Sequence, residues 1–284
     1  MLTLESTHPI LSTHSIPNAI DIPYVTADEA FTLLTAEFER FSRLLETLDA
    51  GDWSQPTACT AWNVQQMLAH QAGAYASGTG YLELIRQYTA RPKPGQLPED
   101  AINDLQVGER ADRTPAELIT ELRSVGPVAI QKWAYQFRLA RWATNLVQVP
   151  HPVAGKMSIQ YLNWVIHSRD TWMHRLDICR ATSRPFEQTA GHDGRIAALV
   201  MLDVARSLAP KLRDQAIVFD LTGVAGGVWK VGTGQAAATV RMDVLDFAIF
   251  VSGRFTYEQA LARAEPSGDM ALAKTALKNL LILF

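Results

Sequence analysis

The 284-residue chain has 26 basic and 29 acidic residues, a formal net charge of −3, and 48% hydrophobic residues. That apolar content is ample for packed cores, and the balanced charge, with no long like-charge run, gives neither a nucleic-acid footprint nor a polybasic membrane patch. Cys59 and Cys179 form no spaced disulfide framework, and no signal-peptide opening or apolar run of about 18 residues is present, so a cytoplasmic protein with no membrane span is expected.

Residues 1–24 lack periodicity and read as an extended arm, with His8 and His14 in solvent. Thr26 and Glu29 have the spacing of a capping box, and Ala30, Phe31, Leu34, Phe38, Phe41, Leu44 and Leu45 follow at helical spacing. A second helix starts in PTACTAWNVQQMLAHQAG, where Asn63 caps, Gln66 reaches back, and Val64, Met67 and Leu68 give the apolar face. The prolines of RPKPGQLPED interrupt any helix and predict a long connector, of the kind found near active-site mouths. Thr114, Pro115 and Glu117 open a third helix that runs to about Phe137 with a bend at Gly126-Pro127.

QVPHPVAGKMS excludes helix, and Ser158 then caps a fourth helix through Trp164, Trp172, Leu176 and Ile178. Asp193 caps an alanine-rich helix to about Leu208. AIVFDLTGV, GVWKVGTG and AATVRMD alternate with period two as three strands, after which DVLDFAIFVSGR and DMALAKTALKNLLILF return to helical spacing. A helical bundle followed by an α+β layer results, with the boundary in TSRPFEQTAGH.

The chemistry concentrates in the second and fourth helices. Asp170 and His174 are four residues apart, about 6 Å along a helix axis, close enough to grip one ion. His70, flanked by the small residues Ala69, Ala72 and Gly73 that allow another helix close, is the candidate third ligand; a core histidine bonded to backbone is the competing reading. His167 shares the stripe but lies seven residues, roughly 10.5 Å of rise, from His174, too far for easy co-ligation. Asp177 either receives the second imidazole proton of His174 or pairs with Arg175 or Arg180. Two imidazoles and a carboxylate suit Zn²⁺, with open positions for an anionic ligand such as a thiolate or hydroxide.

PTACTAWNVQQMLAHQAG resembles the second-helix signature of the DinB-like four-helix metalloproteins, and HSRDTWMHRLDICRATSRP resembles the fourth-helix signature of their mycothiol-dependent maleylpyruvate isomerase branch. VFDLTGVAGGVWKVGTG and FVSGRF are similar to the sterol-carrier-like domain that follows in that branch. The resemblance implies an α+β fold: an arm at 1–24, a DinB-like metal-binding bundle at 25–185 and a smaller sterol-carrier-like domain at 186–284. It implies a divalent metal, usually zinc, on His70, Asp170 and His174, although the isomerase uses a glutamate where this chain has the shorter Asp170. It further implies an arginine reaching the site from the C-terminal domain, matched here to Arg254, which could clamp a substrate carboxylate.

The expected function is a metal-dependent enzyme that activates a low-molecular-weight thiol, mycothiol by the resemblance, for addition to a small electrophile. Cis-trans isomerisation of maleylpyruvate or thiol S-transfer would follow, with the protein a monomer or homodimer. Two alternatives remain at this point: a metal-dependent hydrolase with Asp177 or His167 as proton-transfer group, and a non-enzymatic lipid or small-molecule binder. Neither cysteine is expected to act as nucleophile.

Overall fold

The computed structural model describes residues 16–135, 148–151, 155–282 and 284. His8 and His14, and the expected end of the third helix near Phe137, lie outside them. Pro17 and Asn18 do not float free as an arm: Lys230 N donates to Pro17 O at 2.9 Å and Asn18 Nδ2 to Gly232 O at 3.0 Å, ahead of a 3₁₀ turn at Ala19–Asp21.

Helix α1, Ala27–Glu46, begins with Thr26 Oγ1 accepting Glu29 N at 3.2 Å; the Glu29 carboxylate turns to Arg195 instead of completing the box. Helix α2, Val64–Ser77, has the full reciprocal box between Asn63 and Gln66. RPKPGQLPED is helix-free as far as Leu97, and helices flank it, α3 at Tyr81–Tyr88 before it and α4 at Pro98–Gly108 from its last residues on. Pro98 starts α4 instead of breaking it, because a first-turn residue has no intrahelical N–H bond to lose. Helix α5, Pro115–Tyr135, runs through Pro127.

Strands β1, Gln148–His151, and β2, Gly155–Ser158, form an antiparallel hairpin. One turn at Ile159–Tyr161 and a π-helical segment at Leu162–Ile166 lead into α6, His167–Ala181. Helices α1, α2, α5 and α6 enclose a core that includes Leu34, Phe41, Met67, Leu68, Leu118, Leu122 and Ile178. Among the described residues no helix is long and apolar enough to cross a membrane.

The C-terminal layer comprises α7 (Asp193–Leu212), β3 (Ala216–Thr222), β4 (Gly227–Gly232), β5 (Ala236–Asp243), α8 (Val244–Val251), α9 (Tyr257–Leu261), β6 (Glu265–Gly268) and α10 (Met270–Lys278). The sheet order is β4-β3-β5-β6, with β3 and β5 parallel and the outer pairs antiparallel. Strand β6, EPSG, has no period-two pattern in its sequence, and its Pro266 sits on an edge strand, where a missing N–H costs least. Bundle and layer meet where Trp172, Met173 and Leu176 of α6 pack on Ile196, Ala248 and Ile249.

Asp193 is the first residue of α7, not its cap, and is fully buried. Its carboxylate accepts Arg40 Nη1 at 2.6 Å, Thr189 N at 2.7 Å, Arg175 Nη2 at 2.9 Å and Trp172 Nε1 at 3.0 Å. Arg175 Nε also donates to Glu37 at 2.6 Å, so α1, α6 and α7 share one buried network. Burial alone would make the Asp193 carboxyl a weaker acid, yet the Thr189 N–H, Arg175, Trp172 and Arg40 hold its pKa below the ordinary aspartate value.

A folded-state value below the unfolded one stabilises the protein above the ordinary aspartate range, and that contribution disappears as pH falls through the folded value. Asp193→Asn should therefore cost about 3 kcal/mol at neutral pH by leaving buried arginines short of charge. The gap to wild type should narrow as urea unfolding is repeated at pH values falling below the ordinary aspartate range; a gap independent of pH would assign the loss to packing alone.

Candidate metal centre

Helix α2 is buried almost all round, and His70 lies in it at 5% exposure. The small residues beside it do what their size suggests: a Cβ on Gly73 would stand 2.6 Å from Gln106 Cβ, so only glycine lets α4 lie this close. Helix α6 crosses on the other side and presents Asp170, His174 and Asp177 from one stripe.

The structure brings His70 to the Asp170/His174 pair. Asp170 Oδ1 lies 3.1 Å from His174 Nε2, and Asp170 Oδ2 lies 3.5 Å from His70 Nε2. One donor atom from each of the three falls within 4.8 Å of the other two. Donors bound at about 2.1 Å to a common ion stand no more than about 4.2 Å apart, so small side-chain movements close the set around a cation. His70 Nε2 is buried and makes no hydrogen bond among the described residues. A bare imidazole nitrogen facing a carboxylate and a second imidazole is the donor set that a divalent ion such as zinc takes, and the residues fit it.

Each candidate ligand is oriented from behind. His70 Nδ1 is 2.8 Å from Gln106 Oε1, His174 Nδ1 is 3.3 Å from Asp177 Oδ2, and Gln71 Nε2 donates to Asp170 Oδ2 at 2.6 Å. Trp62 stacks on His70 with ring centroids 4.7 Å apart. Burial pulls the His174 proton affinity down, but Asp170 and Asp177 outweigh it and lift the value to about 9. Burial also opposes ionisation of Asp170, and His174 and His70 hold it well below the usual range.

Asp177 pairs with neither Arg175 nor Arg180, whose partners are Glu37 with Asp193 and Asp246 respectively. Its partner is Arg254, with Nε 2.9 Å from Oδ1 and Nη2 2.8 Å from Oδ2. The turn after α8 makes this possible: Gly253 N bonds Phe250 O, Arg254 N bonds Ile249 O, and Gly253 has φ of +80°. This is a Schellman ending, in which glycine adopts the left-handed conformation without strain and sends the next residue off the helix end. The fork expected to clamp a substrate carboxylate is thus engaged by a carboxylate of the protein itself.

His167 stands apart from the three-residue set, stacked on Trp133 at 3.8 Å between centroids, and burial lowers its value to about 4, which leaves it neutral. Burial raises both thiols, Cys179 to about 11, so neither is a ready thiolate. A second group, Glu37, His192 and Asp193, has metal-like proximity, but Arg175 and Arg40 already occupy its carboxylates. Gln71, Gln87, Gln106 and Trp62 escaped the sequence reading, since amides and a stacking indole have no diagnostic spacing.

Fold and site together define an α+β protein whose four-helix bundle presents a buried His/Asp/His cluster suited to a divalent cation. The chain belongs to the family described as the mycothiol maleylpyruvate isomerase N-terminal domain, whose model matches residues 34–179, just over half of its length. Uncharacterized proteins from two strains of Mycobacterium tuberculosis are 25% identical over 234 residues, covering 78% of this chain and 83% of theirs. Crystal structures of the mycothiol-dependent maleylpyruvate isomerase, and of a histidine-to-alanine mutant of it, match with a TM-score of 0.56 at 16% identity. The match covers 89% of this chain and 96% of theirs, and at that identity it shows the shared fold.

If the cluster is a metal centre, elemental analysis of wild type should return about one divalent ion per chain. His70→Ala, Asp170→Asn and His174→Ala should each lose it, whereas His192→Ala should retain it. Loss in His192→Ala alone would move the site to the second cluster.

Proposed function

We propose that this chain is a thiol-dependent enzyme that adds a low-molecular-weight thiol, mycothiol in the reading the family supports, to an electrophilic small molecule. Isomerisation of maleylpyruvate or a similar cis-enedioate is the favoured reaction. The observation that carries this reading is the buried His70 Nε2, which makes no hydrogen bond and faces Asp170 and His174, inside a fold shared with a mycothiol-dependent isomerase. A divalent cation on His70, Asp170 and His174, zinc in this reading, would supply the positive charge that lets a thiol ionise near neutral pH.

The chain's own residues do the rest. Asp177 accepts the Nδ1 proton of His174 and keeps Nε2 toward the site, while Arg254 holds Asp177 in place. The Arg254 fork uses Nε and Nη2, and Nη1 lies outside the pair as a donor for a substrate carboxylate. Trp62 covers one face of the His70 ring. In the reaction the thiolate forms a C–S bond to one alkene carbon and the electron pair moves into the conjugated carbonyl. Rotation about the new single bond and expulsion of the thiolate give the trans isomer, with no net redox change. Where the adduct is released with a proton on carbon, the same step is S-transfer.

The hydrolytic alternative needs Asp177 or His167 free to take a proton. Both Asp177 oxygens are already bonded, and His167 lies outside the three-residue set. The carrier alternative finds little support in a C-terminal layer whose interior is filled by Phe219, Phe247, Val240 and Leu277. The proposed division is a bundle at 25–185 and a layer at 186–284, in a cytoplasm that keeps Cys59 and Cys179 reduced.

The test is loss of maleylpyruvate absorbance with and without mycothiol. Turnover should require the thiol and be abolished in His174→Ala, and Arg254→Met should lower kcat/KM about 10–100-fold through Asp177. Equal rates with and without any thiol would favour activated water and defeat the reading.

A further inference from the structure

His70 is held from behind by a chain of buried amides that begins in the α3–α4 excursion. Gln106 of α4, 4% exposed, places Oε1 2.8 Å from His70 Nδ1. Its Nε2 donates to Gln87 Oε1 of α3 at 2.7 Å. Gln87, with no exposure, donates its own Nε2 to Gly73 O and to Glu83 Oε1, both at 2.9 Å.

The direction of this chain is not arbitrary. A backbone carbonyl can only accept, so the Gln87 amide must turn its NH₂ toward Gly73. Its oxygen then faces Gln106, which must answer with NH₂, and this leaves the Gln106 oxygen toward His70. An acceptor at that place requires the proton on Nδ1. Each amide orientation is thereby set by the one before it, and the starting point cannot flip.

We propose that Gln87 and Gln106 are positioning residues: they fix the proton of His70 on Nδ1 and so reserve Nε2 as the nitrogen that meets a cation. This rests on the reading of His70 as a metal ligand and adds what the excursion between α2 and α5 is for. The stretch is not only a cover, because α3 and α4 each contribute one amide to the relay. Gly73 serves it twice, by offering the carbonyl that anchors Gln87 and by leaving the space that Gln106 Cβ fills. Arg110 fastens the α4 end by donating to the Gln106 carbonyl at 3.0 Å and forking onto Glu121 of α5.

Two measurements on full-length protein test this. In metal-free, ¹⁵N-labelled protein the His70 imidazole N–H, assigned by its loss in His70→Ala, should be a slowly exchanging Nδ1–H. It should vanish in Gln106→Met and persist in Gln106→Glu, which keeps an acceptor oxygen. Zinc affinity, measured by chelator competition, should fall about 10–100-fold in Gln106→Met and be largely restored in Gln106→Glu. Gln87→Met should weaken zinc less, by freeing the Gln106 amide to flip. Adding it to Gln106→Met should cost nothing further, because both act along one path. Additive losses, zinc binding by Gln106→Met within about twofold of wild type, or ligation through Nδ1 would overturn the relay. A protected Nδ1–H in a wild type that takes up no zinc would leave the relay standing and remove the metal reading instead.

Discussion

Asp177 is a carboxylate with no exposure, set between the bundle and the C-terminal layer, and its oxygens must be met by protein donors because water cannot reach them. Arg254 supplies those donors from the other layer, at 2.8–3.1 Å. Breaking such a pair typically costs about 3–5 kcal/mol, so the two layers dock in the one register that keeps it. The consequence reaches the site directly. The same carboxylate that locks the layers also lies 3.3 Å from His174 Nδ1, and the C-terminal layer thereby supports the candidate centre without contributing a candidate ligand.

Helix α6 shows how a polar helix can sit in the middle of a protein. From Ser168 to Cys179 nearly every residue is buried, yet the stretch holds two arginines, a histidine and two aspartates. One face carries Asp170, His174 and Asp177 to the candidate centre, and another sends Arg175 to Glu37 and Asp193. Trp172, Met173 and Leu176 fill the contact with the layer. Each charge has an opposite charge within bonding distance, which is the condition under which a buried charge is tolerable. Burial therefore follows from partner placement here and not from hydropathy.

That distinction explains what could be read in the sequence. The i, i+4 pair Asp170/His174 and the glycine-alanine neighbourhood of His70 are local patterns, and they pointed to the cluster that the structure assembles. Caps were equally legible: Asn63 with Gln66 and Thr114 with Glu117 form as their spacing suggests. Pro98 misled, because the same residue ends a helix from inside and begins one from its first turn. Asp193 misled for another reason; it stands at a helix start, but its oxygens serve Arg40, Arg175 and Trp172 in three dimensions. The pairing of Arg254 with Asp177 spans 77 residues and left no periodic trace.

The supporting residues come from separate elements: Gln71 from α2, Gln106 from α4, Asp177 from α6 and Arg254 from the turn after α8. Together they hold the three candidate ligands by groups that never face the cation. Ordering a free side chain costs up to about 2 kcal/mol of conformational entropy, and a site assembled only when the ion arrives would lose that from its affinity for every ligand. Here the ordering is part of folding, since the supporting bonds are buried or part-buried and join elements that pack regardless. The imidazoles are consequently restrained in position, with both Nδ1 atoms turned to side-chain oxygens and both Nε2 atoms turned toward Asp170. Preorganisation of this kind offsets the cost of burying so many polar groups between α2 and α6.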